Sequence, residues 1–268
     1  MKPKQLSGSA QMGTIGAMDG DGNIADLSHV VFPILRQTSD LNFHLVGTGF
    51  FVADNGIFVT AKHVLMDVFD QSGNQTHPIV LIQFLGGKYF IRNILRCTSH
   101  ETADISVGIA AQMKHNTTGA PLTNKILRLT QRIPPIKEQV CTYAYPKTVI
   151  KHDVRQELHF YPDFFEGTIE EHYLQGRDSV LMPGPCMQTS MYIHGGASGG
   201  PVFDSAGKVC GINSTGFENS NLSFVTPIST IENLLLSEIF IPSNKSGQVR
   251  VSELIDGSFV SYEKHPGA

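Results

Sequence analysis

Short apolar runs, rich in β-branched and aromatic residues and bounded by Gly, Asn or Asp, recur along almost the whole chain. They predict strands over 29–35, 42–53, 56–60, 79–84, 88–96, 105–110, 126–129 and 139–145. Further strands follow over 154–161, 164–169, 179–182, 187–190, 201–203, 208–213 and 221–226. Alternation this regular points to an all-β barrel or sandwich rather than to βαβ units. Two stretches depart from it. Val64, Leu65 and Val68 suggest one or two helical turns over 61–69, directly after a strand. Near the end, Ser229 can cap a helix with Glu232 at the reciprocal position three residues on, which predicts a short closing helix over 228–239.

The chain has 268 residues, 41% hydrophobic and 16% charged, enough for one β-rich domain or two small ones. Its net charge of -4 provides no basic field to recruit nucleic acid or an anionic membrane. The densest basic stretches, 125–132 and 147–155, are interrupted by apolar and acidic residues and read as solvated strand faces or loops. Met1-Lys2-Pro3-Lys4 is followed by Gln, Ser, Gly and Ala rather than by the apolar core of a secretory signal. No apolar run approaches the roughly 18 residues that span a bilayer, so the expectation is a soluble, cytoplasmic protein. Residues 1–25, rich in Gly, Ser and Met, and 243–268, ending in Lys-His-Pro-Gly-Ala, are expected to be mobile tails.

Cys97, Cys141, Cys186 and Cys210 show no C-x-x-C spacing, which speaks against a structural zinc site. Cys141 and Cys210 lie in strand-like segments as small hydrophobes, in keeping with a reducing compartment, although one bridge stays compatible with the sequence. Eleven histidines raise the question of a metal-dependent hydrolase, but none stands in H-E-x-x-H spacing, and Glu170-Glu171-His172 lacks a second histidine at helical distance. No metal or cofactor is expected.

Three segments carry candidate chemistry. Phe58-Val59-Thr60-Ala61-Lys62-His63-Val64 runs a strand into a tight turn bearing a histidine, and Gly47-Thr48-Gly49-Phe50-Phe51-Val52 upstream can pair with it as a hairpin. Thr102-Ala103-Asp104-Ile105-Ser106 places an aspartate at the head of a strand, where a buried carboxylate needs a partner such as His63. His194-Gly195-Gly196-Ala197-Ser198-Gly199-Gly200-Pro201 surrounds a serine with glycines, which lets the backbone aim neighbouring N–H groups at one point. Gly196 and Ser198 are then candidates to hold a developing oxyanion. Each segment also has a plain reading: a strand-end histidine, a strand-start aspartate and a flexible turn.

Together, Thr60-Ala61-Lys62-His63, Ala103-Asp104-Ile105 and Gly196-Ala197-Ser198-Gly199-Gly200-Pro201 resemble, in order, the trypsin-like (chymotrypsin-fold) serine peptidases, above all the bacterial and high-temperature-requirement branches. The resemblance extends from about Val46 to Leu235. It implies an all-β fold of two six-stranded antiparallel β-barrels with a short C-terminal helix. The barrels would span about 28–124 and 125–227 within a peptidase domain over 28–240, flanked by tails at 1–27 and 241–268. It implies Ser198 as nucleophile, His63 as base, Asp104 as its orienter, and an oxyanion hole at Gly196 and Ser198. Ser214 would support Asp104, and the strand edge at Ser214, Thr215 and Gly216 would pair with a protein or peptide substrate.

Departures from the family narrow the type. Ala197 replaces the aspartate of zymogen-activated members, Val64 replaces the cysteine that follows their histidine, and about 30 residues after the closing helix are too few for a PDZ domain. Restraint of activity would then come from a regulatory protein partner, from the tails or from a disordered loop over 195–197. The base of the specificity pocket falls near Tyr192, with no acid there. Asn213, Thr189 and His194 are candidates for a polar pocket, and Glu218 for an acid reaching in. The competing function is a catalytically silent module of the same fold that binds peptides.

Overall fold

The structure, a computed structural model, describes residues 4–5, 16–37, 42–66, 68–69, 75–152, 156–180, 182–216, 222–239, 241 and 245–265, with the side chains at 4–5, 147–152 and 156–158 outside it. Six strands, Val31–Gln37, Phe43–Phe51, Ile57–Thr60, Ile79–Leu85, Lys88–Ser99 and Ser106–Ala110, form the first closed barrel, every pairing antiparallel. Its interior is aromatic: Phe32 lies 4.6 Å from Phe51 and 5.6 Å from Phe58, ring centre to ring centre. Burying each such ring contributes roughly 1.5–3 kcal/mol. Gly108 sits opposite Phe58 in the ladder, and the Phe58 ring fills the space a Cβ there would need.

The second barrel runs Gln139–His152, Gln156–Tyr173, Cys186–Thr189, Ser223–Pro227, Val209–Gly216 and Pro201–Phe203 around its ring, and Pro201–Phe203 pairs back onto Gln139–His152 to close it. The two six-stranded antiparallel barrels expected from the sequence are present. The runs expected over 154–161 and 164–169 are one strand, Gln156–Tyr173, which a register shift between Tyr161 and Asp163 carries past Pro162. In place of the strand expected over 179–182, Ser179 and Val180 bend where the Asp178 carboxylate accepts the Val180 N–H at 2.9 Å, and residue 181 lies outside the described residues.

The hairpin of Gln139–His152 and Gln156–Tyr173 belongs to both barrels. Its root lies in the second ring, while Tyr145 and Phe160 pack against Phe84 of the first barrel, at 6.4 and 5.9 Å between ring centres. All three side chains are buried.

The end of the chain differs from expectation. In place of a helix over 228–239 there is one 3-10 turn, Ile228–Ile231, followed by the strand Leu235–Ser237, paired with Gln248–Arg250. Leu236 is buried between the exposed Leu235 and Ser237, a period of two that a short apolar run does not distinguish from a helix. Glu232 accepts the Tyr262 hydroxyl instead of closing a capping box. The short α-helix lies later, at Val251–Asp256, with Val251, Leu254 and Ile255 in the core at helical spacing.

Neither flank is a detached tail where it is described. Tyr262–Glu263 pairs in parallel with Leu129–Thr130 beside the second barrel. Ala17 and Ala25 are buried, and Met18 N–H donates to Gly207 O at 2.7 Å. The remaining expectations for 1–15, apart from the strand Lys4–Gln5, and for 242–244 and 266–268 lie outside the described residues.

Candidate active site

Strand Ile57–Thr60 is buried throughout, and Ala61 leads it into the helical turn Lys62–Leu65. Val64 and Leu65 anchor that turn in the core and leave His63 facing outward, its side chain 41% exposed. Thr60 pairs with Ser106, so the residues just before Ser106 reach the same end of the barrel as His63. Asp104 is there. His63 Nδ1 lies 2.9 Å from Asp104 Oδ2 and 3.1 Å from Oδ1, and the His63 N–H donates to Oδ1 at 3.0 Å. Ser214 Oγ also donates to Oδ2.

Burial pushes the Asp104 carboxyl up. The hydrogen bond and charge of His63, with the Ser214 hydroxyl and the His63 N–H, outweigh that effect and hold the group below the usual carboxylate range. An ionised Asp104 makes Nδ1 the donor, so a neutral His63 ring presents Nε2 as an acceptor.

Two residues that sequence reasoning passed over hold Asp104 in place. Lys62 Nζ donates to the carbonyls of His100 and Glu101 at 2.9 and 2.8 Å. His100 Nδ1 accepts the N–H of Ala103 at 2.9 Å and of Thr102 at 3.3 Å. Burial, and after it the Lys62 charge, push His100 below its ordinary value against the opposing charge of Glu101, so the ring stays neutral and able to accept. Lysine beside a histidine gives no pattern that marks it as a tether, and its contact partners lie 38 and 39 residues away.

Ser198 lies on the second barrel in the loop before Pro201–Phe203. Gly196 and Gly199 take φ of +91° and +85°, which side-chain-bearing residues rarely adopt. A Cβ on Gly199 would lie 2.7 Å from Ala61 N, so the loop docks directly against the strand end that carries His63. Ala197, Gly199 and Gly200 donate their N–H groups to His194 O, Asn213 O and Ala197 O at 3.2, 2.7 and 3.0 Å. Among the described residues, the N–H groups of Gly196 and Ser198 have no such acceptor. The alternation leaves two uncommitted donors, one on each side of Ala197.

Ser198 Oγ donates to Ser214 O at 3.1 Å, and among the described residues it makes no hydrogen bond to His63. The ladder between Val209–Gly216 and Ser223–Pro227 runs through Asn213 and Gly216 and skips Ser214 and Thr215. Ser214 therefore touches both the carboxylate and the serine hydroxyl.

The expected specificity pocket is partly corrected. Asn213 is 1% exposed, and its Nδ2 donates to Thr142 Oγ1 at 2.7 Å and Ala197 O at 3.3 Å. It braces the Ser198 loop from behind and does not line an open pocket. Thr189 is likewise buried, its hydroxyl directed to Ser223 O at 3.5 Å. Tyr192 is half exposed and meets His194 edge to face at 4.7 Å, while Phe165 meets the same ring at 5.9 Å. Thr215 is half-buried and Gly216 exposed at the strand end, and Glu218 lies outside the described residues.

A family model for the trypsin-like peptidase domain matches residues 47–212, which includes His63, Asp104 and Ser198. A search among curated proteins by sequence finds no match. Among solved structures, the crystal structure of Deg5 is similar in fold, with a TM-score of 0.53 over 76% of this chain and 86% of that one, at 21% identity.

Proposed function

Because the chain belongs to the trypsin-like peptidase domain family, we propose that it is a serine endopeptidase acting through Ser198, His63 and Asp104. The observation that carries the reading is the convergence of the His63–Asp104 pair with the two uncommitted N–H donors flanking Ala197. Ser198 Oγ turns about χ1 from Ser214 O to His63 Nε2 and attacks the carbonyl carbon of a peptide bond. A C–O bond forms as the hydroxyl proton passes to Nε2, and the carbonyl electrons move onto oxygen, where the Gly196 and Ser198 N–H groups receive them.

Asp104 stabilises the resulting imidazolium. The imidazolium then protonates the leaving amine as the C–N bond breaks, leaving an acyl group on Ser198. Water, deprotonated by His63, attacks that ester, and the proton returns to Ser198 as the acid departs. Substrate backbone adds to the edge at Ser214, Thr215 and Gly216, the first two of which the ladder to Ser223–Pro227 skips.

Cys97, Cys141, Cys186 and Cys210 are free thiols, which supports a reducing, cytoplasmic setting. A second reading, a peptide-binding module that does not cut, is favoured by the placement of the Ser198 hydroxyl on Ser214 O rather than on His63.

A tagged fluorophosphonate separates the two. The peptidase reading expects labelling of the wild type, none in Ser198→Ala, and casein cleavage that falls by at least about 10⁴-fold in that variant. Folded wild type that neither labels nor cleaves would leave the binding module. A peptide library cleaved by the wild type would give the side-chain preference.

A further inference from the structure

The peptide planes of the Ser198 loop are secured from the other barrel, and one residue secures them. Thr48, in strand Phe43–Phe51, donates its hydroxyl proton to Gly196 O at 2.9 Å and its N–H to Ser198 O at 2.8 Å. Its hydroxyl oxygen accepts the Tyr145 N–H at 3.0 Å, and its carbonyl accepts the Thr60 hydroxyl at 2.7 Å. Every polar group of Thr48 is thus engaged, on three segments: the Ser198 loop, the hairpin root and the strand leading to His63. Thr48 is fully buried.

These contacts fall where they constrain the two free donors. The Gly196–Ala197 peptide is pinned at both ends, its C=O by Thr48 and its N–H by His194 O. The Ser198–Gly199 peptide is pinned in the same way, by the Thr48 N–H and by Asn213 O. Planes whose two ends are held cannot rotate, so the Ser198 N–H, in the Ala197–Ser198 plane between them, is restricted on both sides, and the Gly196 N–H, in the plane that adjoins the first, is restricted on one. Gly196 has little other freedom, since a Cβ there would lie 2.9 Å from Tyr145 O and 3.2 Å from Pro146 O.

We propose that Thr48 is a positioning residue that sets the oxyanion-binding geometry of the Ser198 loop through its hydroxyl. The inference rests on the serine-peptidase reading above. Without the hydroxyl, Gly196 O and the Tyr145 N–H lose their shared partner, the latter while buried, and the Gly196–Ala197 plane is released at one end. A misaimed donor weakens the transition state more than the bound substrate.

Thr48→Val keeps the side-chain shape and deletes the hydroxyl, while Thr48→Ser retains it. With p-nitrophenyl acetate, Thr48→Val should lower kcat by roughly 10–100-fold with KM within about twofold, and slow fluorophosphonate labelling in proportion, because loss of one oxyanion donor outright costs about 10²–10³. Thr48→Ser should restore both. Should Thr48→Val not fold, Thr48→Ala is read in the same way. A folded hydroxyl-deleted variant with wild-type kcat and only a lower Tm would overturn the proposal and make Thr48 a tie between barrels. That result would leave the peptidase reading standing, whereas wild type that neither labels nor hydrolyses would remove both.

Discussion

Ser214 holds the two ends of the site with different atoms: its hydroxyl donates to Asp104, and its carbonyl accepts the hydroxyl of Ser198 at 3.1 Å. The Ser198 hydroxyl therefore rests on an acceptor that lies outside the ladder to Ser223–Pro227, at the edge where substrate backbone is proposed to add. A substrate N–H that took this acceptor would release Ser198 toward His63. Ser214→Ala retains the carbonyl and removes the hydroxyl from Asp104. A hydrogen bond to an ionised group contributes roughly 1.5–3 kcal/mol, so hydrolysis of p-nitrophenyl acetate should fall by about tenfold or more with the fold intact. Unchanged kcat with an unchanged pH profile would show that this bond is dispensable.

Stability should fall in two steps on acidification. The fold holds His100 below 6.5, so its contribution is complete above that pH and is lost as pH falls through the lowered value, when Nδ1 gains a proton and no longer accepts from Ala103 and Thr102. Asp104 is also held down. Its contribution is present above 3.8 and is lost as pH falls further, through its folded value. Urea midpoints measured from pH 7 downward should show the first loss in the wild type and not in His100→Asn, whose amide oxygen accepts without titrating. Parallel curves for the two proteins would count against His100 as the group responsible.

Two glycines of the same loop should respond differently. Gly199 has φ +85°, and a Cβ there meets Ala61 N at 2.7 Å as well as Thr60 Oγ1 and Thr48 O. Gly199→Ala should therefore lose about 2–5 kcal/mol of stability from left-handed strain and overpacking together. Gly195 has nothing within 4 Å of a Cβ, and Gly195→Ala should unfold at the wild-type urea concentration. Equal midpoints for the two variants would contradict the close docking of the loop on the His63 strand end.

The thiols should be unreactive in the folded protein. Burial pushes Cys97 up to about 11, Cys186 to about 11 and Cys141 to about 12, so few are ionised near neutrality. Ellman's reagent should react slowly with native protein and titrate four thiols after unfolding without reductant. A titre of two would instead reveal a disulfide.

The candidate site was more legible in the sequence than its supports. His63, Asp104 and Ser198 stood out because a turn-bearing strand end, a strand-head carboxylate and a run of glycines are local features. Thr48 and Lys62 did not, because threonine in a strand and lysine on a turn look like ordinary β-former and surface charge. Their partners lie far along the chain, 148 residues away for the Thr48–Gly196 contact. Asn213 was misjudged for the complementary reason: polarity suggested a pocket, where the structure uses the amide to brace a backbone carbonyl. Leu234 to Leu236 was ambiguous in period, and the polar composition near the C-terminus hid the apolar spacing of Val251, Leu254 and Ile255.

The hairpin shared between the barrels bears on how the chain reaches its final state. Phe84 of one ring closes on Tyr145 and Phe160 of an arm rooted in the other, so neither ring completes its surface alone. Closing contacts this distant in sequence is slow, and they form late. The Ser198 loop depends on the same late closure through Thr48 and Tyr145. A half-folded chain therefore carries a Ser198 loop whose peptide planes are not yet held, and the proposed ability to cut other polypeptides would arrive only once this chain is itself compact.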